Sequence, residues 1–433
     1  MCIDRAADIA LEAVDAEPSR SGRGLTPPQA EREVPRPDIR SGTHLAMTAS
    51  SASVRPTPFE VVWGPESLRR LRDRVRAYRF PRAPAGDGWR YGCDPAFLRA
   101  LCAHWLEGFD AAAAVATLNR YPQVIARVED IDIHAVHVVG EAQGRRPLLL
   151  THGWPGSVYE FWQVIEPLAF PSRHGGDARD AFDLVIPSLP GFGSSGKPAA
   201  PVGARTTARL FDTLMREGFG YARYRAQGGD WGAAVSAWLA LDHAAAVEAI
   251  HLNYLLVQPA AMPATEAEHA WQAAFDAHQR SLGAYVMLQA TKPQSLAYAI
   301  ADNPVAQLAW IVERFHDWSD LSTRPFEAVF SNDQLLTNAM IYVMNDAFVT
   351  STWYYAAALA EGVRRMPDGR RVEVPTAFAA YPDRRAPPPP RAWAERGYAI
   401  SRWVEPARGG HFAAMEEPAY FVDDLRAWGR AGG

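Results

Sequence analysis

The sequence predicts an α/β protein: a mostly parallel β-sheet with helices on both faces, a helical extension before it, and a helical lid inserted above the strand ends. Three observations predict this. Between about 127 and 255, short β-rich runs alternate with helical segments, the rhythm of crossover connections between parallel strands. From about 256 to 368 the chain reads as helical and Trp-rich, with no convincing strand until RVEVPTAFAA (371–380). A helical block between two strands of one sheet reads as a lid, over the carboxyl ends where open α/β sheets bind ligands. Finally, QGGDWGAAVSAWLA (227–240) places one carboxylate among glycines at a strand-to-helix junction.

The organisation follows from composition and periodicity. Residues 1–58 hold no Phe, Trp or Tyr and are rich in Pro, Ser, Gly, Arg and Glu. Such a segment cannot bury enough apolar surface to offset its ordering entropy, so it reads as a disordered tail, with Met47 an alternative start. An N-terminal domain is expected over 59–126. Within it, Leu68, Leu71, Val75 and Tyr78 recur at helical spacing, with Arg on the opposite face and Pro81 beyond the end. Asp94-Pro95 reads as an N-cap followed by a first-turn proline, and Phe97, Leu98, Leu101, Trp105 and Leu106 line the buried face behind it. The first part of the α/β core spans 127–255. Its strands are IDIHAVHVV (131–139), PLLLTHG (147–153), FDLVIP (182–187), a weak YARYRAQ (221–227) and EAIHLN (248–253), with helices near 206–218 and after Asp230. The lid covers 256–368. The second core part, 369–433, adds strands at 371–380 and 398–406 and a helix over 417–429.

Composition excludes several function classes. The 433 residues are 48% apolar, with a net charge of −5. That balance suggests neither nucleic acid nor an anionic membrane as a partner. No apolar run approaches the ~20 residues that span a bilayer, and the N-terminus lacks an apolar signal core. The expected location is the cytoplasm. Cys2, Cys93 and Cys102 are too few and too scattered for a disulfide framework or a zinc site. Neither GxGxxG nor a P-loop occurs, so no metal and no organic cofactor is expected.

The chemistry starts at GGDWG. Small-x-nucleophile-x-small between a strand and a helix is a nucleophile elbow, whose tight turn lifts the middle side chain above the sheet. Here that residue is Asp230. A carboxylate is ionised at neutral pH without help and can attack a carbon electrophile to form an ester. Upstream, THGWPGS (151–157) follows an apolar strand and can turn backbone N–H groups toward the elbow. The amides of Trp154 and Trp231 would form an oxyanion hole, each donor worth about 3–4 kcal/mol to a tetrahedral intermediate. Downstream, RGGHFAAMEEP (408–418) sets His411 in a glycine-hinged loop after the last strand. His411 is the expected base for water. His134 and His137 read as structural, and His152 as shaping its loop.

Together HGWPGS, GGDWG and GGHFAAMEEP, in this order, with LNRYPQV (118–124) and GWRYG (88–92), make the chain resemble the microsomal-type epoxide hydrolases of the α/β-hydrolase fold over roughly 59–430. The resemblance implies an epoxide as substrate and two lid tyrosines that protonate the opening ring; the lid's wealth of Trp, Tyr, Leu and Ala suits a small apolar or aromatic epoxide. Tyr285 in GAYVMLQATKP and Tyr355 in TSTWYYAAAL match those positions, with Tyr354 the close rival and a candidate substrate-binding residue. It also implies an acid that orients the base, placed two residues beyond a Pro. In AAYPDRRAPPPP (379–390) that position is Arg384, and Asp383 stands one residue early. Asp383 is the candidate acid, with Glu405 a poor second. The family's membrane anchor has a polar tail in its place here, so no membrane attachment is expected. A homo-oligomer is compatible with the sequence. Two rivals remain. One is a haloalkane dehalogenase, which shares the Asp elbow and the base but needs N–H donors for the halide. The other is a turnover-deficient ligand-binding protein on the same scaffold.

Overall fold

The computed structural model describes residues 54–86, 88–383 and 387–430. The segment expected as a tail lies outside the described residues as far as 53, as do Met47 and Cys2. Its predicted boundary at 58 needs correction. Val54 is buried, and Thr57–Phe59 is already a strand, β1.

Among the described residues one nine-stranded sheet runs in the order β1-β2-β3-β5-β4-β6-β7-β8-β9. Its members are β1, β2 (Gln123–Val128), β3 (Ile131–Val138), β4 (Arg146–Thr151), β5 (Phe182–Pro187), β6 (Tyr224–Gly228), β7 (Val247–Leu252), β8 (Val372–Ala379) and β9 (Tyr398–Val404). From β5 to β9 neighbouring strands are parallel, while β1, β2 and β3 join as an antiparallel edge. The central strands are buried on both faces, which is why FDLVIP, Asp183 apart, reads as an apolar run instead of an alternation. The expected junction at 126/127 falls inside β2. That strand pairs with β3 across its whole length, so the N-terminal segment and the core share one sheet.

The N-terminal helices form where periodicity predicts, at Pro65–Ala77 and Pro95–Glu107. Asp94 caps the second, accepting from the amides of Ala96 and Phe97 at 2.7 and 2.8 Å. Between β7 and β8 the described chain is helical from Glu266–Leu282 to Ala347–Ala360, with no named strand. The insertion closes on itself at its neck. Gln258 donates its amide to the Arg364 carbonyl (2.8 Å), and its own carbonyl accepts from Met366 (2.9 Å). The N-terminal segment leans on this lid: Trp89 stacks on His316 at 3.9 Å, and Phe97 meets Phe326 at 5.4 Å. None of the described helices is long and apolar enough to cross a membrane. Because β4, β6, β7, β8 and β9 are parallel, the loops after them all open at one edge of the sheet, beneath the lid.

Candidate active site

The elbow forms at the end of β6. Gly229 precedes the helix Asp230–Asp242, and Asp230 takes φ +44°, left-handed backbone that costs a non-glycine residue roughly 1–2 kcal/mol. The neighbours leave little room. A Cβ on Gly232 would collide with the Thr151 carbonyl, and one on Gly153 would collide with the Asp230 side chain. The helix behind is buried from Asp230 to Leu241, and its Ala, Gly and Ser content lets it sit directly against the strands.

Three other loops converge on Asp230. The loop after β4 brings the Trp154 amide within 3.0 Å of Asp230 Oδ1, to which it donates. The loop after β9 brings His411 Nε2 to 3.2 Å from Asp230 Oδ2. The loop after β8 supplies Asp383, whose Oδ2 lies 2.8 Å from His411 Nδ1. A tight turn absorbs the one-residue offset seen in the sequence: the Asp383 amide donates to the Tyr381 carbonyl at 2.7 Å. Asp230, Asp383 and His411 are all buried. Glu405, the second candidate, is exposed and accepts a bond from the Trp403 indole, away from His411.

The electrostatics follow from that burial. Desolvation pulls the His411 ring down, but Asp383 and Asp230 on its two sides more than offset it and raise its pKa to about 9. The same burial lowers His152 to about 4 and keeps it neutral. His152 accepts from the Leu189 amide through Nε2 (3.2 Å), and its Nδ1 faces the Gly153 carbonyl (2.9 Å). It shapes the loop, as its sequence position suggests.

The lid covers the site with aromatic rings. Tyr285, on Ala284–Thr291, stacks on Trp154 with centroids 5.3 Å apart. Tyr355, on Ala347–Ala360, meets Trp154 edge-on at 5.7 Å and Trp231 at 4.9 Å. The two tyrosine rings lie 5.8 Å from each other. Tyr354, the rival, packs its ring against Trp231 at 5.2 Å but sends its hydroxyl elsewhere. One residue along the helix turns it about 100°, and its hydroxyl bonds Thr207 Oγ1 at 3.0 Å.

Several residues that organise the site were not singled out from the sequence. Asn338 donates to the Pro155 carbonyl (2.8 Å) and accepts from Ser157 (2.8 Å), and the Tyr342 hydroxyl donates to the Gly156 carbonyl (2.5 Å). One lid helix, Asn332–Met344, thus fixes the HGWPGS loop. Glu416 accepts from the amides of Gly410 and Phe412 (both 2.9 Å) and of Asp320 (2.8 Å), holding the His411 loop to the lid. Glu160, Gln227 and Asn253 line a small chamber together with Asp230 and His411. Only the acid in THGWPGSVYE and the Gln before the elbow could have hinted at it.

Comparison with known proteins agrees with this architecture. Residues 56–161 match the family model described as the epoxide hydrolase N terminus, and residues 146–428 match that of the alpha/beta hydrolase fold. A protein of Stigmatella aurantiaca, named as a candidate epoxide hydrolase, is 38% identical over 375 residues, 86% of this chain and 84% of its own. "Epoxide hydrolase 1" of Sus scrofa is 31% identical over 408 residues, 87% of this chain and 89% of its own. The solved Aspergillus niger epoxide hydrolase superposes with a TM-score of 0.76 at 28% identity, covering 89% of this chain and 98% of that one. The chain therefore belongs to the epoxide hydrolase family of the α/β-hydrolase fold, in the branch that carries the epoxide hydrolase N-terminal domain.

Proposed function

We propose that the protein opens an epoxide to a vicinal diol through a covalent ester on Asp230. The observation that carries this is the contact of His411 with Asp230 on one side and Asp383 on the other, under two lid tyrosines. Oδ1 of Asp230 is held by the Trp154 amide, which leaves Oδ2 to attack. Oδ2 bonds to one epoxide carbon, that carbon–oxygen bond breaks, and Tyr285 or Tyr355 gives a proton to the departing oxygen. Esterification removes the negative charge of Asp230. One of the two carboxylates that keep His411 protonated is then gone, its pKa falls, and its proton leaves to restore the tyrosine that gave one up, so that the neutral ring can act as base. Water adds to the ester carbonyl and passes a proton to His411. The oxyanion forms at Oδ1, where the amides of Trp154 and Trp231 receive it. Collapse releases the diol and restores the carboxylate. The aromatic lid suits a small apolar or aromatic epoxide.

One observation favours the dehalogenase rival. Among the described residues, the buried indole N–H groups of Trp154 and Trp231 have no hydrogen-bond partner, and a leaving halide needs such donors. The test is a panel of aryl and alkyl epoxides and chloroalkanes, with wild type and Asp230→Ala. Diol from wild type alone supports the proposal; halide release without diol transfers it to the rival.

A further inference from the structure

The proposed reaction needs a water molecule at the ester carbonyl, on the His411 side of Asp230. The chamber at this place is lined by Glu160, Gln227, Asn253, Asp230 and His411 among its polar groups, with Phe161, Phe412 and Phe421 closing its apolar side. Its interior has room for on the order of one water molecule. Two features show that it is built for a polar guest. Gln227 is buried and spends its amide N–H on Asn253 Oδ1 (3.0 Å), while its Oε1 has no hydrogen-bond partner among the described residues. A buried carbonyl oxygen left so costs stability unless something donates to it. Glu160 reaches in beside the backbone of Gly156, occupying space that any side chain there would claim. Asn253 closes against Gly229 of the elbow.

We infer that this chamber holds the water that hydrolyses the Asp230 ester, with Glu160 and Gln227 accepting hydrogen bonds that orient it toward the ester carbonyl. The inference rests on Asp230 being the nucleophile. A water in the chamber has two protons to place. One goes to His411 Nε2 as the bond to the ester carbon forms, and the other stays hydrogen-bonded to Glu160 or Gln227. The Glu160 carboxyl need not be charged to accept. Burial raises its pKa to about 8, with Asp230 adding to the rise and His411 and the Gly153 amide opposing it. A neutral carboxyl leaves His411 as the proton acceptor. It also makes glutamine a close substitute, because both present a carbonyl oxygen.

Single-turnover kinetics separate the two chemical steps. In Glu160→Ala, ester formation should change less than about three-fold while ester hydrolysis slows by about ten-fold or more, the cost of one lost orienting hydrogen bond. The ester then accumulates, and kcat and KM fall together. Glu160→Gln should recover most of the hydrolysis rate. Gln227→Leu should show the same selective loss, and supplies the test if the alanine variant does not fold. Equal slowing of both steps, unchanged hydrolysis in Glu160→Ala, or no recovery in Glu160→Gln would overturn the inference. Absence of both ester and diol in the wild type would instead overturn the reading on which it rests.

Discussion

Asp230 lies between an amide donor at 3.0 Å and a protonated ring at 3.2 Å, so its two oxygens are already differentiated before any substrate arrives. Asp383→Asn keeps the shape of the acid but removes its charge from the His411 side. Attack by Asp230 should survive while hydrolysis of the ester falls by orders of magnitude, and rapid-quench mass spectrometry would show the accumulated adduct. Tyr285→Phe and Tyr355→Phe should each lower kcat/KM for an epoxide by roughly 10²-fold, read as diol formation; halide release from a chloroalkane should not respond. The candidate nucleophile and base, Asp230 and His411, could be singled out in the sequence because their motifs impose a turn shape as well as a residue. Asp383 was less so, because its position depends on one backbone turn, Asp383 to Tyr381, that no residue type announces. The choice between Tyr354 and Tyr355 depends on helix phase, which sequence spacing resolves only when the helix start is known.

The site loops owe their geometry to elements far away in the chain. Asn338 of the lid bonds both Pro155 and Ser157, which follow Trp154 in the loop that presents its amide. Asn338→Ala should destabilise the protein by about 1–3 kcal/mol, since it strands buried polar groups, and should lower kcat with little change in KM. Denaturant unfolding and steady-state kinetics check the two halves separately. Gly232→Ala should be more damaging, because the added methyl meets the Thr151 carbonyl, part of the rigid backbone at the end of β4. At this level the apolar strands were readable from composition alone. β2 was not, because QVIARV carries a charge and sits near the sheet edge, nor was the short helix Arg391–Gly397 between β8 and β9. Tertiary pairing with β3 decides the first.

The N-terminal segment, the sheet and the lid belong to one compact unit from Val54 onward, and titration of the site therefore reaches the stability of the whole. His411 is raised to about 9 in the folded protein, against about 6.5 in an unfolded chain. A raised basic group stabilises the fold fully below its unfolded pKa, and that contribution is lost as pH rises through the folded value. Wild type should therefore exceed His411→Gln in stability most at pH 6, with the gap closing between about 6.5 and 9. Urea unfolding of both proteins at pH 6 and pH 9.5 reads this directly. Trp89→Ala, which removes the stack on His316, should loosen the lid and lower the melting temperature without touching the reacting groups. Chain order made the architecture legible: elbow, lid and base loop follow one another as parallel strands require. β1 and β2 were hidden, because their strand-forming residues lie mostly in what composition alone marks as tail and helical extension; β3 was read as a strand, but its antiparallel pairing was not.

The most direct test of the central claim is to trap the ester. His411→Gln, mixed with a styrene-type epoxide, quenched in acid and digested, should yield the peptide containing Asp230 increased by the mass of the epoxide, and Asp230→Ala should yield none. No adduct in His411→Gln while the wild type makes diol, or an adduct on any residue other than Asp230, would contradict the account.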